Sequence, residues 1–170
     1  MKFKLFILAI GTILLFAQCE NKKKVEVNWK SYHNEMFMID YPADWDVDTT
    51  GQFNVQSFGS FSPETGDKTQ TLSVGITLIV DSTDLNVAVN KFMQQWRKNE
   101  NAKISKTKPV NVGKQKGLYV EAIVDNIQFK NYFIKKDNTV VYLFLAGYSK
   151  AFKLWDETGK EIINSFRIIN

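Results

Sequence analysis

The clearest hydrophobic pattern lies at residues 72–80, where Leu72, Val74, Ile76, Leu78 and Val80 alternate with Ser73, Gly75, Thr77 and Ile79. A period of two sends alternate side chains to one side, so this segment is predicted to be a strand with one face on a core. The period then changes. Ser82, Thr83 and Asp84 offer N-cap oxygens, and Leu85, Val89, Phe92 and Trp96 follow at helical spacing with Asn90, Lys91, Gln94 and Lys98 opposite. This predicts a helix over 84–99, its apolar stripe docked on the neighbouring strand. Residues 118–124, 127–135 and 139–147 are strand-like and separated only by Asp125-Asn126 and by Lys136-Asp137-Asn138. Connections that short force antiparallel hairpins, so the second half of the chain contains a meander.

The rest of the pattern is built around that meander. GKQKG at 113–117 is read as the turn leading an earlier strand into it. VVYLFLAGY at 140–148 is apolar on both faces, which a sheet allows only where both sides are covered, so helices or loops are expected on each. Ser149 is placed to cap a C-terminal helical region in which Trp155, Ile162, Ile163 and Phe166 share a stripe. Gly159 lies in that stripe and implies either close backbone contact or a break between two short helices. Nearer the start, the apolar run 36–41 ends at Pro42. Pro42-Ala43-Asp44-Trp45 then reads as a turn between two strands, 53–61 as a further strand and 62–68 as a loop. Helix and antiparallel strands in one body make the fold class α+β.

Residues 1–19 have a different character. Lys2 and Lys4 precede an apolar run from Leu5 to Ala17, followed by Cys19. As a helix that run is about 20 Å long against a hydrocarbon core of roughly 30 Å, which suits the core of an export signal better than a permanent span. With Leu15, Ala17 and Cys19 in place, the segment resembles bacterial lipoprotein signal peptides, although Phe16 and Gln18 stand where an aliphatic and a small residue are usual. The resemblance implies a signal peptide over 1–18, cleavage before Cys19 and lipid on its sulfur. A cut after Ala17 would instead leave Cys19 as a free thiol. Several acyl chains would make such anchorage effectively permanent, whereas one binds only reversibly. Residues 19–27, with Lys22, Lys23 and Lys24, then form a polar tether, and 28–170 a single domain.

Composition narrows the chemistry. A chain of 170 residues with 44% hydrophobic content has material for one core. With 13 Phe, 6 Tyr and 4 Trp it is far from the aromatic-poor composition of disordered chains. The net charge of +4 is misleading, because Lys2, Lys4, Lys22, Lys23 and Lys24 outweigh Glu20 before residue 25 and leave the remainder neutral. Only Arg97 and Arg167 could make bidentate phosphate contacts, so nucleic acid is not an expected partner. One cysteine and one histidine, Cys19 and His33, exclude an internal disulfide and a Cys/His zinc site within the chain.

The remaining candidates are weak. Asp44, Asp46 and Asp48 resemble the start of a calcium loop. The required following Gly and later Glu are replaced by Thr49 and by Asn54 or Val55, so a solvated stripe with Trp45 and Val47 turned inward is the better reading. His33 has Glu35 nearby but no positioned nucleophile, and Ser57, Ser60 and Ser62 have no neighbouring base in sequence. No P-loop, nucleophile elbow, zincin or dinucleotide motif occurs. Trp29, Trp45, Trp96 and Trp155 are expected mostly in the core, with any surplus lining a pocket or docking patch.

Phe37, Tyr41, Pro42 and Trp45 form a hydrophobic-x-x-x-Tyr-Pro-x-x-Trp opening, and Ser165-Phe166 a closing pair, around strands, a central helix, a meander and a final helix. In these features residues 36–167 resemble the PsbP-like family, which includes a photosystem II subunit, a Ran-binding import factor and exported lipoproteins. The resemblance implies an α/β/α sandwich with a central antiparallel sheet and supplies no enzymatic motif. The resulting expectation is a non-catalytic envelope lipoprotein with a protein partner, held by lipid on Cys19, facing the periplasm and on the outer membrane. The alternative is a carrier of a small apolar ligand between sheet and helix, and a third possibility is a hydrolase with an unfamiliar carboxylate or Ser site. No catalytic, cofactor-binding or metal-ligating residue is assigned, and no cofactor is expected.

Overall fold

The computed structural model describes residues 27–50 and 58–169. In chain order its elements are β1 (Trp29–His33), β2 (Phe37–Pro42), β3 (Asp46–Asp48), β4 (Phe58–Phe61), β5 (Ser73–Val80), α1 (Leu85–Trp96), β6 (Lys103–Ile104), β7 (Lys108–Val112), β8 (Gln115–Val124), β9 (Ile127–Lys136), β10 (Thr139–Gly147), α2 (Ser149–Ser165) and β11 (Arg167–Ile168). Among the described residues an eight-stranded antiparallel sheet runs β3-β4-β5-β10-β9-β8, with β6 and β7 both pairing on the far edge of β8. A second sheet has the order β1-β2-β11.

β10 explains the layering. Val140 and Tyr142 pack with Val89 and Met93 of α1, while Val141, Leu143 and Leu145 pack with Phe152, Ile162 and Ile163 of α2. The strand is apolar on both faces because each face has its own cover, as the sequence requires. Phe37 and Ile39 of the small sheet join the α2 side. The result is an α/β/α sandwich with a central antiparallel sheet, as expected.

The meander forms as predicted. Asp125 and Asn126 take φ of 49° and 69°, the left-handed pair of a two-residue hairpin, and Asp137 takes 52°. The turn from β7 into β8 is carried by Gly113, at φ 54°, close to the Phe166 carbonyl. β7 is the earlier strand expected before that turn, whereas the pattern does not anticipate β1, β6 and β11. α1 ends at Trp96 rather than Asn99 because its last residues close as turns, Lys98 to Gln95 and Asn99 to Trp96. Asp84 caps it by accepting from the Asn86 N–H.

Three expectations are corrected or resolved. Ser149 is the first helical residue and caps nothing; Tyr148 holds the N-cap position with no side-chain hydrogen bond. α2 runs unbroken through Gly159, so close contact is the reason for that glycine: a Cβ there would lie 2.9 Å from Leu72 and 3.2 Å from Leu145. The acidic stripe does not form. Asp44 and Asp46 face solvent, Trp45 is buried as expected, but Val47 is outward and Asp48 inward. Asp48 accepts from the Thr50 N–H and hydroxyl at 2.8 and 2.7 Å, which satisfies the carboxylate as the strand ends.

Candidate functional site

The two-residue turn at Asp125-Asn126 fixes the register of β8 on β9. Tyr119 faces Tyr132, Glu121 faces Lys130, and Ile123 faces Gln128. Alternation puts all six on the α2 side of the sheet; α2 crosses nearer to β10, so Tyr132 is buried while half-buried Tyr119 and exposed Glu121 and Ile123 on β8 form the floor of a groove beside the helix. Helical spacing brings Phe152, Asp156 and Lys160 along one wall.

The centre of this floor is held by charge. Lys130 Nζ contacts Asp156 at 2.6 Å and lies 5.2 Å from the centre of the Phe152 ring, and Lys160 reaches the other oxygen of Asp156 at 2.9 Å. Burial raises the Asp156 pKa, but hydrogen bonds from Lys130 and Lys160 outweigh it and hold the carboxyl below the usual range. Tyr119 donates to Glu121 at 2.6 Å and stands 5.0 Å from Tyr132, ring centre to ring centre. Burial pushes the Tyr132 phenol up to about 12, and burial with the Glu121 hydrogen bond raises Tyr119 further. Both phenols are therefore neutral donors at ordinary pH rather than bases.

At the hairpin end the groove opens into a cavity of about 930 Å³. Ile123 and Gln128 continue the floor into it, Asn101 and Lys103 enter from the segment after α1, and Tyr148 and Lys150 enter from the start of α2. By contrast, the space between α1 and the sheet, beside Phe92, Phe133 and Val140, is only about 190 Å³.

The residues singled out from sequence are not brought together here. His33 is exposed at the end of β1, in the small sheet, while Ser60 and Ser62 are buried near the other sheet edge. Ser62 accepts from the Leu72 N–H, and Ser60 Oγ has no partner. Cys19, the signal segment and Ser57 lie outside the described residues. The tryptophans serve packing: Trp45 meets Trp155 edge-on at 5.9 Å, Trp96 meets Phe129 at 4.6 Å, and Trp29 packs against the α2-side core. The groove residues escaped the sequence reading, although the two-residue turn specifies their cross-strand pairs and Asp156-Lys160 is an i,i+4 pair.

No protein-family model and no curated protein matches the sequence. Solved structures do resemble it. Cyanobacterial PsbP (CyanoP) from Synechocystis superposes with a TM-score of 0.55 at 11% identity, over 91% of this chain and 99% of that one. LpqN of Mycobacterium tuberculosis, described as involved in cell envelope biogenesis, gives 0.59 at 10% identity, over 85% and 92%. The Saccharomyces cerevisiae Ran-binding protein Mog1p gives 0.53 at 10%, over 85% and 97%. At such identities the likeness shows shared architecture.

Proposed function

From the premise that this chain has a PsbP-like fold, we propose that it is a non-catalytic binding or assembly protein of the bacterial cell envelope. Lipid on Cys19 tethers it to the outer membrane with the domain facing the periplasm, and the groove beside α2 receives a protein partner. The observation that carries the reading is the strip of β8 beside α2, where half-buried Tyr119 and exposed Glu121 are hydrogen-bonded to each other, Tyr119 rests on buried Tyr132, and the Lys130–Asp156 pair joins sheet to helix. Tyrosine is enriched in docking patches because it contributes large, stiff area and a hydrogen bond at small entropic cost. LpqN's description as an envelope-biogenesis protein supports the location, as does the signal-like segment ending at Cys19.

Carrier function for an apolar ligand is the weaker reading. Pockets for drug-sized ligands run to roughly 300–1,000 Å³; the space between sheet and α1 falls below this, and the larger cavity between the β8-β9 hairpin and the start of α2 is lined mostly by polar and charged side chains.

Photo-crosslinking in native membranes tests the docking reading. A crosslinker at Glu121, on the groove floor, is expected to capture one partner that the same group at Asn90, on the outer side of α1, does not. Equal capture, or none, from both positions overturns it. Intact-mass analysis of the membrane fraction is expected to show acylated Cys19; an unmodified thiol on a secreted protein removes the anchor.

A further inference from the structure

We infer that the cavity at the hairpin end of the groove binds an uncharged, polyhydroxylated ligand, a short glycan segment. This goes beyond the docking reading, which concerns the groove floor and a protein. At about 930 Å³ the cavity has the size of a ligand site. Its charges cancel: Lys103 and Lys150 are set against Glu100 and Asp125, and Lys150 is further held by Asp67 at 3.2 Å. A net ionic ligand of either sign therefore finds no excess of opposite charge.

What the cavity offers is hydrogen-bonding capacity. Asn126 and Gln128 each present an amide donor beside a carbonyl acceptor, the arrangement that matches adjacent hydroxyls on a sugar ring. The site is also built in advance. Asp125 accepts from Asn99 at 3.3 Å and from Asn101 at 3.2 Å, which ties the hairpin tip to the segment after α1. The φ of 69° fixes Asn126 at the turn. Tyr148, 39% exposed, supplies an aromatic surface for the apolar face of a sugar, and its backbone is anchored because its carbonyl accepts from Ala151 and Phe152 at 2.9 and 3.3 Å.

The test is amide-resolved NMR titration with chitotetraose, cellotetraose and maltotetraose at millimolar concentration, with sodium sulfate as the ionic probe. At least one tetrasaccharide is expected to shift the side-chain amides of Asn126 and Gln128 and to show saturation transfer to its sugar protons. Asn126→Gly suits the positive φ and removes the amide, so it is expected to keep the fold and weaken binding about tenfold. Tyr148→Ala should do likewise. Silence from all three sugars overturns the inference, as does sulfate alone shifting these amides, or binding unchanged in both variants. None of these outcomes depends on crosslinking at Glu121, so the two readings fail separately.

Discussion

Two buried serines two residues apart have opposite roles. Ser60 Oγ is buried without a partner, and Ser62 Oγ accepts the Leu72 N–H at 3.0 Å. An unsatisfied buried hydroxyl costs about 1–3 kcal/mol, whereas losing a buried acceptor leaves the same penalty on its donor. Ser60→Ala is therefore expected to raise the urea midpoint by the equivalent of about 1 kcal/mol, and Ser62→Ala to lower it by about as much. Gly117 is more restrictive than either: a Cβ there would stand 2.4 Å from the Phe133 carbonyl oxygen, and backbone in a paired strand cannot rotate away. Gly117→Ala is expected to cost about 2 kcal/mol, read from the melting temperature. Asp67 gives a titration marker. The Thr69 hydroxyl and N–H, then Lys150, lower its pKa to about 2, and Thr69→Val, which removes the first of these, should move the NMR titration midpoint upward.

The elements show what a pattern can and cannot specify. Period and turn chemistry were sufficient for β5, α1 and the meander β8-β9-β10, because each is defined by neighbours within a few residues. Val47 and Asp48 exchanged their expected sides because β3 is only three residues long, and the hydrogen bonds from Thr50 outweigh alternation there. The groove depends on where α2 crosses the sheet, a relation between Asp156 and Lys130 that no local period contains. That pair gives a signed pH prediction. A carboxyl whose folded pKa lies below its unfolded value stabilises above the unfolded pKa and loses that contribution as pH falls through the folded one. Asp156 is of this kind, so the stability gap between the wild type and Asp156→Asn is expected to be full near neutrality and to close as the pH falls below the ordinary carboxylate range in paired urea titrations.

At the scale of the molecule, the residues that framed the family resemblance join its two layers. Phe37 meets Phe166 at 5.7 Å, Ser165 Oγ accepts the Asp40 N–H at 2.8 Å, and Trp45 sits on Trp155. Sequence alone showed that these residues recur in such folds but not what they touch. Ser165→Ala is accordingly expected to destabilise by about 1 kcal/mol, with hydrogen exchange rising first at the Asp40 amide. The order of the small sheet has a further implication. β2 receives β1 on one flank from the adjoining stretch of chain but waits for Arg167 and Ile168 on the other. That second flank cannot form until a segment far along the chain has returned to β2, so it is the non-local half of the small sheet. Closure of the small sheet is thereby expected to lag behind the locally connected hairpins β8-β9 and β9-β10 during folding.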